Sequence, residues 1–133
     1  MAVEDMVKKP SHYTRGSIEC MSFIADRGLD YIEGNIVKYV TRFPFKGTPR
    51  TDVEKAAYYT ERLLTLWMAG EQTAPADRNY DRVYKWNPVD YVLDQRMKYL
   101  PGRTVFLACN YRTDQDLLEM IVCLERLKQS LPG

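Results

Sequence analysis

The sequence is poor in the residues that build metal sites and disulfide frameworks. It contains a single histidine and three cysteines, Cys20, Cys109 and Cys123, none of which forms a CxxC pair. An odd number of cysteines in apolar surroundings favours buried free thiols in a reducing compartment. One histidine and scattered cysteines do not supply four zinc ligands at the usual spacing. We therefore expect no structural metal.

Long apolar runs and a strong net charge are also absent. The N-terminal thirteen residues lack the apolar stretch of a signal peptide, and no run approaches the length of a membrane span. The formal net charge is +1, which gives no global attraction for nucleic acid or for an anionic membrane. We expect a cytoplasmic protein without a membrane or nucleic-acid partner, in which any phosphate binding depends on local clusters of cations.

Familiar catalytic motifs are missing as well. The chain has no GxxxxGK[ST], GxGxxG, GxSxG or HExxH sequence. It also lacks the paired ExxE spacings expected of a divalent-metal pyrophosphohydrolase bundle. Any catalysis must therefore come from scattered polar groups.

What the chain does contain is an ordinary globular composition and many tyrosines. Hydrophobic residues make up 45% and charged residues 28% of 133 residues, which fits one domain with a real core. There are ten tyrosines. Tyrosine suits pockets and subunit interfaces, but it suits small cores equally.

Local signals predict an α+β fold that is mostly helical. Five helices are expected, from Ser17 to about Arg27, Gly34 to Phe43, Thr51 to about Ala69, Asn87 to Leu100 and Asp114 to Leu131. Residues 82–86 alternate weakly and suggest a short strand, and the apolar run Thr104–Cys109 suggests a buried one.

These elements divide the chain into three parts. A helical unit, residues 1–70, is followed by a linker or short strand, residues 71–87, and by a helix–strand–helix unit, residues 88–133, packed with the first as one domain. A single strand needs a partner. We expect it to pair with 82–86, with the N-terminal arm or with its counterpart in another copy, and the last option predicts a homo-oligomer.

The candidate site lies between Gly34 and Arg62. Lys38 and Arg42 are one helical turn apart and share a face, and Lys46 follows the end of the helix. A cationic stripe beside a Gly- and Pro-rich loop can hold phosphate. The same pattern also fits an ordinary solvated face of an amphipathic helix.

Three further residues have two interpretations each. Asp52 and Glu54 either cap the third helix, with Thr51 as the N-cap, or orient the nearby cations and carry a metal-bridged phosphate. His12, beside Tyr13 in a loop, either contacts a ligand or is a surface histidine.

Several segments together resemble a known family. They are KPSHYTRGSIECMSFIADRGL, GNIVKYVTRF, KG and TDVEKAAYYTERL, in this order over about residues 8–66. The family they resemble is a phage protein family similar to the nucleotide kinase of a T-odd coliphage, and many of its members have no assigned function. Its signature is a KPxHY arm, a GNxxKYxxR segment, a Lys-Gly loop and a DxEKAxxY helix.

The resemblance implies a nucleotide-handling protein, placed in the host cytoplasm if it is phage-encoded. A kinase-like member transfers a phosphoryl group from a nucleoside triphosphate such as ATP to a deoxynucleoside monophosphate. The catalytic residues it implies are His12, Asp52 and Glu54. The nucleotide-binding residues it implies are Tyr13, Asn35, Lys38, Tyr39, Arg42, Lys46, Lys55 and Tyr59.

Two other functions stay open. Phe43-Pro44-Phe45 stands where many members have small and basic residues, which changes the loop beside the candidate site. An oligomeric sponge would use the same residues to sequester a nucleotide or a cyclic nucleotide signal of host immunity, without turnover. A protein that binds a host enzyme would instead use surface tyrosine and tryptophan.

Overall fold

The computed structural model describes residues 16–45 and 47–132, and their regular structure is helical. The seven α-helices within these ranges are α1 (Cys20–Asp26), α2 (Tyr31–Arg42), α3 (Pro49–Met68), α4 (Pro75–Arg78), α5 (Pro88–Asp94), α6 (Tyr99–Asn110) and α7 (Asp114–Gln129). A 3₁₀ turn, Phe43–Phe45, follows α2.

Four helices enclose the core. Helix α3 packs against α2 and α7, and α6 packs against α2 and α7 from the other side. Each contributes apolar residues that are fully or almost fully buried: Ile36, Val37, Val40, Val53, Ala56, Leu63, Val105, Ala108, Leu117, Met120 and Leu124. Burial of this shared surface is the main stabilising term of the bundle.

Two of the predicted helix starts are confirmed. Asn87 caps α5 with Pro88 at the first helical position, and Thr113 caps α7 by accepting a hydrogen bond from the Asp116 backbone. Both are capping boxes, in which the third helical residue returns a hydrogen bond to the cap. Such signals are local, so sequence alone reveals them.

The other three predicted starts were wrong. Helix α1 begins at Cys20 and not at Ser17, and its N-cap is Glu19. Helix α2 begins at Tyr31 and not at Gly34, because Asp30 and Glu33 form a capping box that we had assigned to a connection. Helix α3 begins at Pro49, so Thr51 lies inside its first turn and is not the cap. Proline at the first helical position needs no N–H partner, which allows the earlier start.

The predicted strands and the small sheet were also wrong. Residues 104–109 belong to α6, and residues 82–86 form an irregular segment; no strand occurs in residues 16–45 and 47–132. The run Thr104–Cys109 reads as apolar because α6 is enclosed by α2, α5 and α7. A short buried helix and a buried strand have the same apolar pattern.

Pro101-Gly102 misled the same prediction. The predicted helix ends at Leu100, directly before this pair, but the pair lies in the first turn of α6. Proline is tolerated there because the first N–H groups of a helix have no partner within the helix. Because residues 104–109 are helical, the strand pairing no longer supports the predicted homo-oligomer, which stays a prediction.

A buried carboxylate joins the start of α2 to the second half of the chain. Glu33 is 0% exposed and accepts hydrogen bonds from Arg78 and from the Tyr111 hydroxyl. Gln72 Nε2 donates to Asp30 Oδ2 at 2.7 Å and to Glu33 Oε2 at 3.3 Å. Burial raises the pKa of Glu33, and the bonds from Arg78 and Tyr111 partly offset that rise.

Removing the cation from this network should lower the free energy of unfolding more than removing a surface cation does. In Arg78→Met the Glu33 carboxylate stays buried without its counterion, so we expect the free energy of unfolding at pH 7 to fall by about 3 kcal/mol. Arg112→Met is the matched control, because Arg112 and Asp77 are 59% and 60% exposed and such pairs contribute about 1 kcal/mol or less. Urea titrations measure both, and equal losses would contradict the network's role.

The pH dependence of the stability of Arg78→Met provides a second test of this network. The pKa of Glu33 is raised in the folded state, and loss of the guanidinium raises it further. Between that pKa and the unfolded value of about 4.3, the folded state binds more protons. The stability of the variant should therefore recover as the pH falls from 7 through this window.

Candidate functional site

Helices α2 and α3 bring four tyrosines together on one surface. The rings of Tyr39 and Tyr59 stack with their centroids 6.1 Å apart and an interplanar angle of 12°. Tyr31 and Tyr58 meet the Tyr59 ring edge-on at 6.1 and 5.3 Å. Both arrangements are the favoured geometries of aromatic pairs.

Three cations surround the ring of Tyr39. Lys38 Nζ lies 4.4 Å, Lys55 Nζ 5.4 Å and Arg42 Cζ 5.6 Å from its centroid. These distances are within the range of cation–π contacts. We call the group Lys38, Tyr39, Arg42, Lys55 and Tyr59 the Tyr39 surface.

Helical spacing explains how the Tyr39 surface is assembled. Lys38 and Arg42 are four residues apart on α2, and Lys55 and Tyr59 are four residues apart on α3. The apolar sides of both helices face the core, where Val37, Val40, Val53 and Ala56 are buried. The pairing of α2 with α3 therefore leaves these polar faces side by side and open to solvent.

Only one of the three cations faces an acid within hydrogen-bonding or ion-pair range. Arg42 Nε lies 3.6 Å from Asp52 Oδ2, and Asp52 is 2% exposed. In the described part of the chain, Lys38 and Lys55 form no ion pair. The Tyr39 surface therefore carries two positive charges that form no ion pair with any residue the structure describes.

Asp52 has a positioning role in this geometry. It lies in the first turn of α3, where the helix dipole favours an acid. From there its buried carboxylate contacts the Nε side of Arg42, while the Arg42 side chain remains partly exposed. The contact is an ion pair without a hydrogen bond, and it places the Asp52 charge beside the guanidinium without burying the whole group.

Tyr59 remains a neutral hydrogen-bonding group at physiological pH. The hydrogen bond with Tyr31 is the largest cause that raises the pKa of Tyr59 above its ordinary value. A neutral phenol keeps its proton and can donate it to an oxygen of a ligand.

The remaining residues predicted for the site fall into three groups. Asn35 is buried and donates to the Tyr31 carbonyl at 2.8 Å, on the face of α2 that also carries Tyr31 and Tyr39. Glu54 is exposed and makes no side-chain hydrogen bond or ion pair with other described residues. His12, Tyr13 and Lys46 lie outside the described residues, so their roles stay predictions.

Sequence reasoning missed two members of the tyrosine group. Tyr31 and Tyr58 had no assigned role, although Tyr31, Asn35 and Tyr39 follow one another at four-residue intervals. That spacing places all three on one face of α2 once the true start of the helix is known. The late start that we assigned to α2 concealed the pattern.

A cavity of about 420 Å³ lies elsewhere, between the end of α2, the α5–α6 connection and the end of α7. None of the five residues of the Tyr39 surface lines it. The described residues thus contain two distinct features: a charged aromatic surface and a separate, largely apolar cavity.

The described residues contain neither a metal-ligand cluster nor a helix that could span a membrane. Within 16–45 and 47–132, no three His, Cys, Asp or Glu side chains come together as a metal would require. The helices in these ranges are also too short or too polar to cross a membrane.

Comparisons with known proteins give one match. Residues 7–61 match the sequence profile of a family described as a protein of unknown function, DUF3310. No curated protein matches the chain, and no solved structure does. The matched range contains α1, α2 and the first part of α3, and hence every residue of the Tyr39 surface, whereas α4 to α7 lie beyond it.

Proposed function

We propose that the Tyr39 surface binds a nucleotide, with the phosphates on its cations and the base on its tyrosines. The observation that carries the proposal is the approach of Lys38, Lys55 and Arg42 to one tyrosine ring that is itself stacked on another. Cations and aromatic rings are the two groups that nucleotide recognition needs at close quarters.

The cations suit phosphate oxygens in complementary ways. Arg42, which forms an ion pair with Asp52, carries a planar fork that can grip two oxygens. Lys38 and Lys55 act as point charges on flexible stems. Because three like charges near one ring repel each other, a bound anion offsets their repulsion.

The tyrosines suit a base. Tyr31 and Tyr58 are largely exposed, and Tyr39 and Tyr59 are partly exposed between them. A base stacked on such a ring contributes about 1–3 kcal/mol and does so with little sequence preference. The tyrosine hydroxyls add donors for the sugar or phosphate oxygens.

Sequestration without turnover is the form of binding that the geometry favours. Asp52 is buried against Arg42, and Glu54 extends into solvent without contacting the cations. Neither acid is therefore presented to a ligand on the Tyr39 surface. In this form the protein is a sponge for a nucleotide or a cyclic nucleotide signal of host immunity.

Phosphoryl transfer is the alternative, and the resemblance to a phage nucleotide kinase supports it. Such transfer asks a protein mainly for positioning and for cations along the oxygens. The Tyr39 surface meets the second requirement. In that case ATP is the donor, a deoxynucleoside monophosphate is the acceptor, and His12 is the residue that activates the acceptor.

Mass spectrometry separates the two forms. The protein is incubated with deoxynucleoside monophosphates plus ATP, and separately with cyclic dinucleotides, and the solution is analysed before and after heat denaturation. New diphosphates support transfer. A ligand that leaves solution and returns intact on heating supports sequestration. If neither occurs, the nucleotide proposal is contradicted.

Charge reversal at Lys38 should weaken binding without unfolding the protein. Lys38 is exposed and forms no ion pair with a described residue, so Lys38→Glu removes the ligand contact and one exposed cation–π contact with Tyr39. A hydrogen bond to a charged group contributes about 1.5–3 kcal/mol, or roughly a 10- to 100-fold change in Kd. Calorimetry with deoxynucleoside monophosphates and cyclic di-GMP measures the change.

The control for this prediction is Arg126→Glu, which makes the same charge change on the exposed side of α7. We expect its Kd to match the wild type. Arg42→Glu is a poorer test, because it places a second carboxylate beside buried Asp52 and would destabilise the fold as well. Equal affinity of Lys38→Glu and wild type would rule out the Tyr39 surface.

Removing the ring of Tyr39 should affect nucleotides and not inorganic pyrophosphate. Tyr39→Leu loses the stacking surface, worth about 1–3 kcal/mol, and leaves the cations in place. We expect a Kd at least about tenfold higher for nucleotides, and little change for pyrophosphate. Tyr80→Leu is the matched control, since Tyr80 is 84% exposed and far along the chain from α2 and α3. Equal losses for both ligands would mean that no base stacks on Tyr39.

A further inference from the structure

The cavity near the end of α2 has largely apolar walls. Val40 of α2, Phe43 of the 3₁₀ turn, Pro101 of α6 and Leu127 of α7 line it. Its volume, about 420 Å³, is within the range of small-molecule sites. The walls come from four separate elements of the bundle, so the cavity is a product of the tertiary fold.

Two cations stand at the α5–α6 side of this cavity. Arg96 and Lys98 line it, and both are exposed. Neither side chain forms a hydrogen bond or an ion pair with any described residue. No aspartate or glutamate is among the lining residues. The cavity therefore combines an apolar interior with unneutralised positive charge.

The backbone at Arg96 is unusual for an arginine. Its φ is +56°, in the left-handed region, and no other described non-glycine residue has a positive φ. Arg96 N bonds to Leu93 O and Met97 N bonds to Val92 O, which is the Schellman pattern that ends α5. Glycine is the favoured residue at this position because a side chain is disfavoured there. The structure thus tolerates an unfavourable residue at a position that lines the cavity.

We propose that this cavity binds a small organic carboxylate with an apolar body. The body occupies the space between Val40, Phe43 and Leu127, and the carboxylate meets Arg96 and Lys98. The guanidinium fork matches the two oxygens of a carboxylate. The site is separate from the Tyr39 surface and shares no residue with it.

Octanoate is the probe for this site. Amide NMR spectra are recorded while octanoate, 1-octanol or acetate is added to the full chain. Octanoate should shift the amide signals of Met97, Lys98 and Leu131 in a saturable manner. Octanol lacks the charge and acetate lacks the apolar body, so both should bind more weakly than octanoate. The absence of saturable shifts with octanoate, or equal binding of octanol, would overturn the proposal.

Arg96→Gly separates a binding role from a structural one. Glycine relieves the left-handed strain, so the urea midpoint should rise, while the Kd for octanoate should increase at least about tenfold through loss of the guanidinium. Arg96→Asn, which tolerates the same backbone, should weaken binding similarly. Arg62→Gln, an equal charge loss on α3, should leave it unchanged. A raised midpoint with unchanged affinity in Arg96→Gly would show that Arg96 does not hold the ligand.

Discussion

The buried carboxylate of Glu33 is the constraint on which the rest of this bundle depends. It sets the first turn of α2 through Asp30 and accepts hydrogen bonds from Arg78 and Tyr111, which belong to the second half of the chain. A buried carboxylate destabilises the folded state unless all of its hydrogen bonds are formed, so only one arrangement of this network is stable. Because a helix is rigid over two turns, fixing the start of α2 also fixes where Lys38 and Tyr39 point. The site is thus controlled from the opposite end of its own helix.

The sequence revealed those parts of the fold that depend on neighbouring residues. Asn87-Pro88 and Thr113 begin helices through hydrogen bonds within three positions, and both were predicted. The strand at 104–109 was wrong because its apolar character reflects what surrounds α6, and no local pattern carries that information. The Asp30–Glu33 box was available in the sequence, but Glu33 also has a tertiary partner in Arg78. The local capping role of Glu33 could therefore be predicted from the sequence, whereas its contact with Arg78 could not.

The candidate site, too, could be predicted only in part from the sequence. Helical periodicity placed Lys38 and Arg42 on one face, and the resemblance added Lys55 and Tyr59. Only the packing of α3 on α2 brings these four residues to the ring of Tyr39. Asp52 had two possible roles in the sequence, and its burial beside Arg42 favours the positioning role. Burial is a property of the folded chain, so sequence alone left the two roles equal. The functions of His12, Tyr13 and Lys46 stay predictions.

Charge arithmetic limits what the Tyr39 surface can recognise. The whole chain carries a net charge of +1, so attraction must act at short range, within roughly a Debye length of 8–10 Å. Arg42 is offset by Asp52, while Lys38 and Lys55 form no ion pair with a described residue. A ligand with about two negative charges in a small volume matches this surface, and a long polyanion would exceed it. A nucleoside monophosphate and a cyclic dinucleotide both meet that requirement. They differ in whether the two charges sit on one phosphorus or on two, so their relative affinities would show whether Lys38 and Lys55 act on the same phosphate.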